Sequence, residues 1–366
     1  MTETPTAGLE SLLDGYAYRA WRTADEDAGP VRFALIGLGW WTTDQVLPAL
    51  EDAALSEATV LVSGSAEKAE RIAADWESVE RAVTYDEFHA GEAADAYDAI
   101  YVCTPNAYHL EYAETAADLG KAVLCEKPME ATVERAARMV EACEDADVPL
   151  MVGYRMQTDP LVRHARELIR AGAIGEPVHA LGNNSQTLLD IIPNPDQWRL
   201  DPDLTGYGTS VMDLGIYPLN TTRFLLDADP VRARAAMDSR HEAFDEVPDE
   251  RSAFTVTLDD GTLLTATASQ NAHGATSLRI VGTDGELLFE PAFHMETALR
   301  IRRGDDEVTV EPDQANQMTE LFDYFADRLL ADADVGADGR HGLLDIEAIR
   351  AVHEAAETGS AVDVGR

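Results

Sequence analysis

Beginning at Val31, short apolar runs alternate with stretches in which apolar residues recur at helical spacing. The runs Val31–Ile36, 59–62, 82–84, 99–103, Ala122–Cys125 and 150–153 are apolar without strict alternation, the pattern expected of strands buried on both faces of a parallel sheet. Helical periodicity fills the gaps at 67–76, 108–119 and 133–146. Strand and helix at this spacing predict an α/β fold over 31–154, a doubly wound Rossmann domain.

After residue 155 the rhythm changes. A helix is expected at 160–171, followed by longer alternating strands at 252–258 and 262–269, joined by Asp259-Asp260-Gly261 in a hairpin. Strands at 278–281, 286–289, 298–302 and 307–310 continue the pattern, and helices return at 317–330 and 344–357. Residues 155–366 therefore read as an α+β domain with an open, mostly antiparallel sheet, suited to substrate binding and oligomerisation. Residues 1–30 read as an N-terminal arm. A short helix at 9–21, carrying Leu12, Leu13, Tyr16 and Trp21, precedes an acidic segment there that could pack on another subunit.

Composition narrows the possibilities. A chain of 366 residues exceeds the roughly 250 at which single cores stop growing, which agrees with two domains. No apolar run reaches the roughly 18 residues of a membrane span, and Met1 to Glu10 lack a basic start followed by an apolar stretch. The expectation is a cytoplasmic protein. Cys103, Cys125 and Cys143 have no partners at metal-ligand spacing, so they read as packed thiols and no metal is called for. The formal net charge of −40, with 68 acidic against 28 basic residues, repels nucleic acid and anionic membranes. The acids are interspersed with well-formed apolar runs, as on a solvated folded surface. The balance resembles that of proteins from salt-adapted archaea and predicts salt-dependent stability. Only Lys68, Lys121 and Lys127 are lysines, which raises the chance that each has a specific task.

Several segments carry chemistry. Gly37-Leu38-Gly39-Trp40-Trp41-Thr42 follows the first strand and opens a helix. Gly37 permits the tight turn and Gly39 lets the backbone approach a pyrophosphate at the helix N-terminus. Thr42 stands where the fingerprint has its third glycine. The second strand ends in Ser63-Gly64-Ser65 with Glu67 and Lys68 following. Two hydroxyls and a lysine, with no acid at the strand end, favour the 2′-phosphate of NADP over the ribose hydroxyl of NAD. Helix capping by the serines explains the same residues, and Glu67 keeps dual use open. Thr104-Pro105-Asn106, with His109 beyond, ends the fourth strand, where ligands lie in such sheets. Asn106 also suits a helix cap. Glu126-Lys127-Pro128 ends the fifth strand and puts a lysine at the nicotinamide end of the expected cleft. Asp213 and Tyr217 stand four apart, on one face if the segment is helical, with Pro218 distorting the turn. A phenol accepts a substrate proton more readily beside an ammonium group, which favours the phenolate.

Taken in order, the glycine turn, Thr104-Pro105-Asn106, Glu126-Lys127-Pro128, Gly153-Tyr154-Arg155 and the stretch from Asp213 to Tyr217 resemble the glucose-fructose oxidoreductase / inositol dehydrogenase (Gfo/Idh/MocA) family. The resemblance runs from about Val31 to the last helix. It is nearest the glucose-fructose oxidoreductases and the haloarchaeal members that oxidise D-xylose. It implies that Lys127 binds a sugar hydroxyl and tunes Tyr217, the proton acceptor, while Asp213 holds the sugar. Gly37, Gly39, Trp40, Trp41, Ser63, Ser65, Lys68, Thr104, Pro105, Asn106, Glu126 and Lys127 would line the NADP site. Arg155, Trp198 and Arg199 would border the cleft, and His109 would touch the cofactor ribose or the substrate. The implied reaction is NADP-dependent oxidation of an aldose at C1, with D-xylose the first candidate, in a homodimer or homotetramer. A glucose-fructose oxidoreductase with tightly held NADP and a non-catalytic NADP-sensing protein are the rival readings.

Overall fold

The computed structural model describes residues 19–25, 28–310 and 314–365. Its chain folds as two units, 21–155 with 316–346 and 156–315 with 347–366. Among the described residues no helix is long and apolar enough to cross a membrane.

The first unit is built on β1 (Val31–Ile36), β2 (Ser56–Ser63), β3 (Arg81–Thr84), β4 (Ala99–Val102), β5 (Ala122–Cys125) and β6 (Leu150–Val152). Their order is β3-β2-β1-β4-β5-β6, and every neighbouring pair is parallel. All residues of β4 and β5 are buried, which is why these strands read as apolar runs and not as alternation. The order reverses between β1 and β4, so the carboxyl ends of these strands form the crevice where ligands bind in such sheets.

Two assignments differ from the sequence reading. Residues 21–25 and 28–30, read as the end of the arm, belong to the first unit. Residues 316–346, expected in the second domain, belong to the first unit. On the helix Gln317–Leu330, Thr319 Oγ1 donates to the Ala49 carbonyl at 2.9 Å. The Asp323 carboxylate accepts the Ala54 and Leu55 amides, and Phe322 meets Phe33 edge-on at 4.9 Å. Sequence distance conceals this because the partners lie at the opposite end of the chain. The arm helix expected at 9–21 lies, up to residue 18, outside the described residues. Residues 21–24 pack on the helix Gln317–Leu330: Asp327 accepts the Thr23 and Ala24 amides at 2.7 Å, and Trp21 meets Tyr324 edge-on.

The second unit carries a nine-stranded sheet of β7 (Pro177–Thr187), β8 (Pro230–Asp238), β9 (Arg251–Leu258), β10 (Leu263–Ser269), β11 (Asn271–Gly282), β12 (Gly285–Phe289), β13 (Leu299–Arg303), β14 (Asp306–Val310) and β15 (Val362–Asp363). Their order is β14-β13-β12-β11-β7-β10-β9-β8-β15. The β7–β10 pair is parallel; the other neighbours are antiparallel. Strict alternation in β9 and β10 buries Phe254, Val256, Leu264 and Ala266 on one face. The helix Ile216–Leu226 covers that face so closely that a Cβ on Gly182 would lie 2.4 Å from Pro218 Cβ. Leu181 and Leu263, 42% and 49% exposed, stand on the opposite face, which no described helix covers at these positions. The strands absent from the sequence reading are β7, β8 and the two-residue β15. The centre of β7 is Gly182-Asn183-Asn184-Ser185, residues depleted in strands, and it is strand only because β10 and β11 pair with it.

Candidate active site

Each unit carries its own group of the singled-out residues. In the first, β1 runs into Gly37, whose φ of +92° and closeness to the Cys103 carbonyl, 2.2 Å from where a Cβ would stand, admit only glycine. Nothing lies within 4 Å of a Cβ built on Gly39, so the backbone there is open to a bulky anion. Thr42 is buried and its Oγ1 donates to the Gly37 carbonyl at 2.6 Å. A hydroxyl thus closes the turn from inside where the fingerprint has glycine. The helix after this turn opens through a π-turn, Thr42–Val46, a distortion common at functional sites.

Trp41 Nε1 and Thr104 Oγ1 are buried without a protein hydrogen-bond partner. Buried donors are normally satisfied, so two orphans beside the strand ends fit a ligand with acceptor oxygens, as a dinucleotide has. The Arg155 guanidinium lies 5.6 Å over the Trp41 ring and its Nη1 donates to Gln317 Oε1 at 2.6 Å. Trp40 is 48% exposed and stands edge-on to Trp41. Ser63 closes β2 and Ser65 caps the helix Ala66–Ala73, its Oγ accepting the Lys68 amide at 3.2 Å. Capping uses that oxygen as an acceptor and leaves the hydroxyl proton to be donated, so the capping and cofactor readings are compatible.

Asn106 is buried and begins the tight turn Asn106–Tyr108 after Pro105. His109 departs from its expected role. Its Nε2 lies 2.9 Å from the Thr104 carbonyl and its Nδ1 3.1 Å from the Met129 carbonyl. With both nitrogens on backbone and the ring buried, His109 braces the two strand-end loops instead of presenting a nitrogen to the cofactor or substrate.

After β5, Glu126 Oε1 accepts the Tyr101 hydroxyl at 2.8 Å and Oε2 accepts the Lys127 amide at 3.1 Å. The Lys127–Pro128 peptide is cis. Burial, together with Cys103 and Glu126 nearby, pushes the Tyr101 phenol well above its ordinary range, so Tyr101 serves as a donor that orients Glu126. Sequence reasoning missed Tyr101. The available signal was a polar tip in the otherwise aliphatic run Ala99-Ile100-Tyr101-Val102, since a buried tyrosine hydroxyl usually finds a partner.

In the second unit the expected α-helical pair proves to be different. Asp213 lies in a π-turn, Val211–Gly215, and Tyr217 in the first turn of the helix Ile216–Leu226. Pro218 lacks the amide hydrogen that a regular helix would use, and the widened turn precedes it. Arg199, in the turn Trp198–Leu200, donates from Nε to Asp213 Oδ2 at 3.1 Å, and its guanidinium lies 4.4 Å over the Trp198 ring. The structure thus brings Trp198, Arg199 and Asp213 together, and Tyr217 sits 5.8 Å from Phe293, ring centre to ring centre.

Two further residues, neither foreseen, hold this turn. Gln270 Nε2 donates to Asp213 Oδ2 at 3.0 Å. Asp249, fully buried, accepts the Thr209 amide at 2.6 Å, the Val211 amide at 2.8 Å and the Ser210 hydroxyl at 3.1 Å. It satisfies the free amides at the helix start. Burial raises its carboxyl to about 6, against the opposing pull of those donors.

The model of the oxidoreductase family with an NAD-binding Rossmann fold matches residues 31–154, and that of the GFO/IDH/MocA C-terminal domain matches residues 162–288. The chain is 52% identical over 356 residues, 97% of its length and 99% of the relative's, to a D-xylose 1-dehydrogenase (NADP(+)) of Haloarcula marismortui. It is 30% identical over 336 residues, 91% of its length and 99% of the relative's, to D-xylose 1-dehydrogenase (NADP(+)) 2 of Haloferax volcanii. Among solved structures, aldose-aldose oxidoreductase from Caulobacter crescentus superposes with a TM-score of 0.85 at 30% identity, over 92% of this chain and all of that one. With both halves matched in order and the likeness extending along nearly the whole chain, this protein is an oxidoreductase of the GFO/IDH/MocA family.

Proposed function

We propose that the protein catalyses NADP-dependent oxidation of an aldose at C1, with D-xylose as the preferred substrate and D-xylonolactone as the product. What supports this most is the 52% identity, over 97% of the chain, to an enzyme named for that activity. The residues present also suit the chemistry.

Gly37 and Gly39 would take the pyrophosphate, Ser63, Ser65 and Lys68 the 2′-phosphate, and Trp41 and Thr104 would donate to the remaining acceptor oxygens. When bound, NADP supplies the acceptor for the hydride that leaves C1 of the sugar ring. Tyr217 takes the proton of the C1 hydroxyl, so that carbon loses a hydride, oxygen loses a proton and a carbonyl forms. Lys127 binds a hydroxyl of the sugar. Asp213 accepts a hydrogen bond from a sugar hydroxyl, its carboxylate held by Arg199.

A second reading is supported by the likeness to an aldose-aldose oxidoreductase: NADP retained through the cycle and regenerated by a second sugar. Aldoses screened with NADP and NAD at molar salt test both readings. Turnover of D-xylose that requires added NADP is expected. Nucleotide that copurifies and supports sugar-to-sugar transfer with no added NADP favours the second, and cofactor binding without turnover of any aldose defeats both.

We further propose a cytoplasmic enzyme with no nucleic-acid or membrane partner, since a net charge of −40 repels both. The sheet face bearing Leu181 and Leu263 suits a second copy of the chain, giving a homodimer or homotetramer. Sedimentation at molar salt tests this, and a monomer at micromolar concentration removes it.

A further inference from the structure

Gln270 lies between β10 and β11 and is fully buried. Its backbone is fixed on both sides, with its amide donating to the Glu250 carbonyl at 2.9 Å and its carbonyl accepting the Leu188 amide at 2.8 Å. The side chain makes a directed chain of contacts. Nε2 donates to Asp213 Oδ2 at 3.0 Å and reaches the Thr209 carbonyl at 3.4 Å, while Oε1 accepts from Gln186 Nε2 at 2.8 Å.

A primary amide has one donor end and one acceptor end. Gln186 engages the acceptor end, so the donor end must face Asp213. Arg199 Nε donates to the same carboxylate oxygen at 3.1 Å. Two donors converging on Oδ2 fix the plane of the carboxylate. A buried amide without these partners would be costly, so the arrangement is specified from the sheet outward. Gln186, half-buried at the end of β7, is the outermost link.

We infer that Gln270, oriented by Gln186, is a positioning residue that fixes the Asp213 carboxylate as the acceptor of a sugar hydroxyl. The inference rests on the sugar-binding role proposed above for Asp213.

The test compares wild type, Q270M and Q270E at molar salt with NADP and the best aldose. Q270M keeps most of the side-chain volume and removes both donated bonds. Its KM for the aldose should rise about tenfold, as expected for loss of a bond to a charged group, while its affinity for NADPH, read by fluorescence, stays within about twofold. In Q270E one carboxylate oxygen still accepts from Gln186, but the other faces Asp213. The two carboxylates repel unless they share a proton. The ratio of variant to wild-type kcat/KM should therefore rise severalfold as pH is lowered from about 8 to about 6, a trend that a packing defect does not produce. If Q270M does not fold, as judged by NADPH binding and melting, Q186M interrupts the same chain at a half-buried position and should raise the aldose KM about threefold. Wild-type kinetics in Q270M, a pH-independent ratio in Q270E, or an unchanged KM in Q186M overturns the inference while the sugar reading stands. A wild type that binds NADPH but turns over no aldose defeats the sugar-binding role of Asp213, and this inference with it.

Discussion

His353 Nε2 stands 3.8 Å from Asp249 Oδ2, with the Asp249 side chain fully buried and the His353 side chain 10% exposed. Burial lowers the imidazole to about 4 and raises the carboxyl to about 6. The signs oppose one another. The unfolded imidazole takes a proton near pH 6.5 while the folded one does not, so that difference removes stability as pH falls below about 6.5. Folded Asp249 takes a proton near pH 6 that the unfolded carboxyl takes only near 3.8, so that difference adds stability as pH falls through 6. Between about pH 6 and pH 4 each state holds one proton on the pair, and its net slope is close to zero. Relative to wild type, D249N should lose stability as pH falls through this window, and H353Q should gain it. Denaturant midpoints from pH 7 to pH 4.5 provide the measurement; parallel curves for all three proteins would exclude the assignment.

Gly37→Ala places a Cβ at 2.2 Å from the Cys103 carbonyl, at a φ of +92°. Strain of about 1–3 kcal/mol is expected there. The variant should melt several degrees lower and bind NADPH more weakly, because the strained segment is the proposed pyrophosphate turn. Calorimetry with and without NADPH checks both effects.

Ser63→Asp puts an acid at the end of β2. The new carboxylate would repel a 2′-phosphate and accept from a ribose hydroxyl. The KM for NADP should rise at least tenfold, roughly the effect of one lost charged contact, with the KM for NAD unchanged or lower. Equal effects on the two cofactors would remove Ser63 from the 2′-phosphate site.

Tyr217→Phe deletes the hydroxyl and little else. Turnover should fall about 10²-fold or more, the scale of general-base catalysis, with NADPH affinity retained. Single-turnover kinetics with NADPH fluorescence separates the two quantities, and near-normal turnover would rule out Tyr217 as proton acceptor.

A formal charge of −40 repels itself most strongly when unscreened. Screening length falls from about 10 Å at 0.1 M salt to about 3 Å at 1 M, so the melting temperature should rise by about 3–5 °C across that range, the shift expected for about 2–4 kcal/mol in a chain of 366 residues. A melting temperature flat in salt contradicts this account of the acidic surface.

Local pattern makes the first unit legible. Strands buried on both faces leave apolar runs, helices between them leave a 3.6-residue period, and a glycine turn needs glycine wherever it occurs. Gly37, Glu126-Lys127-Pro128 and the pair Asp213 and Tyr217 can therefore be named from the sequence, and the resemblance gives them an order. Tertiary structure decided whatever depends on partners distant along the chain. Strand β7, with its Gly-Asn-Asn-Ser centre, is strand because β10 and β11 flank it. The helix Gln317–Leu330 joins the first unit through contacts to Ala49, Ala54 and Leu55. His109 reads as a ligand in the sequence, whereas in the fold both its nitrogens meet backbone carbonyls. Tyr101, Asp249 and Gln270 leave little local trace, because a buried polar side chain acquires its role only from the group it faces, and that facing is set by the fold.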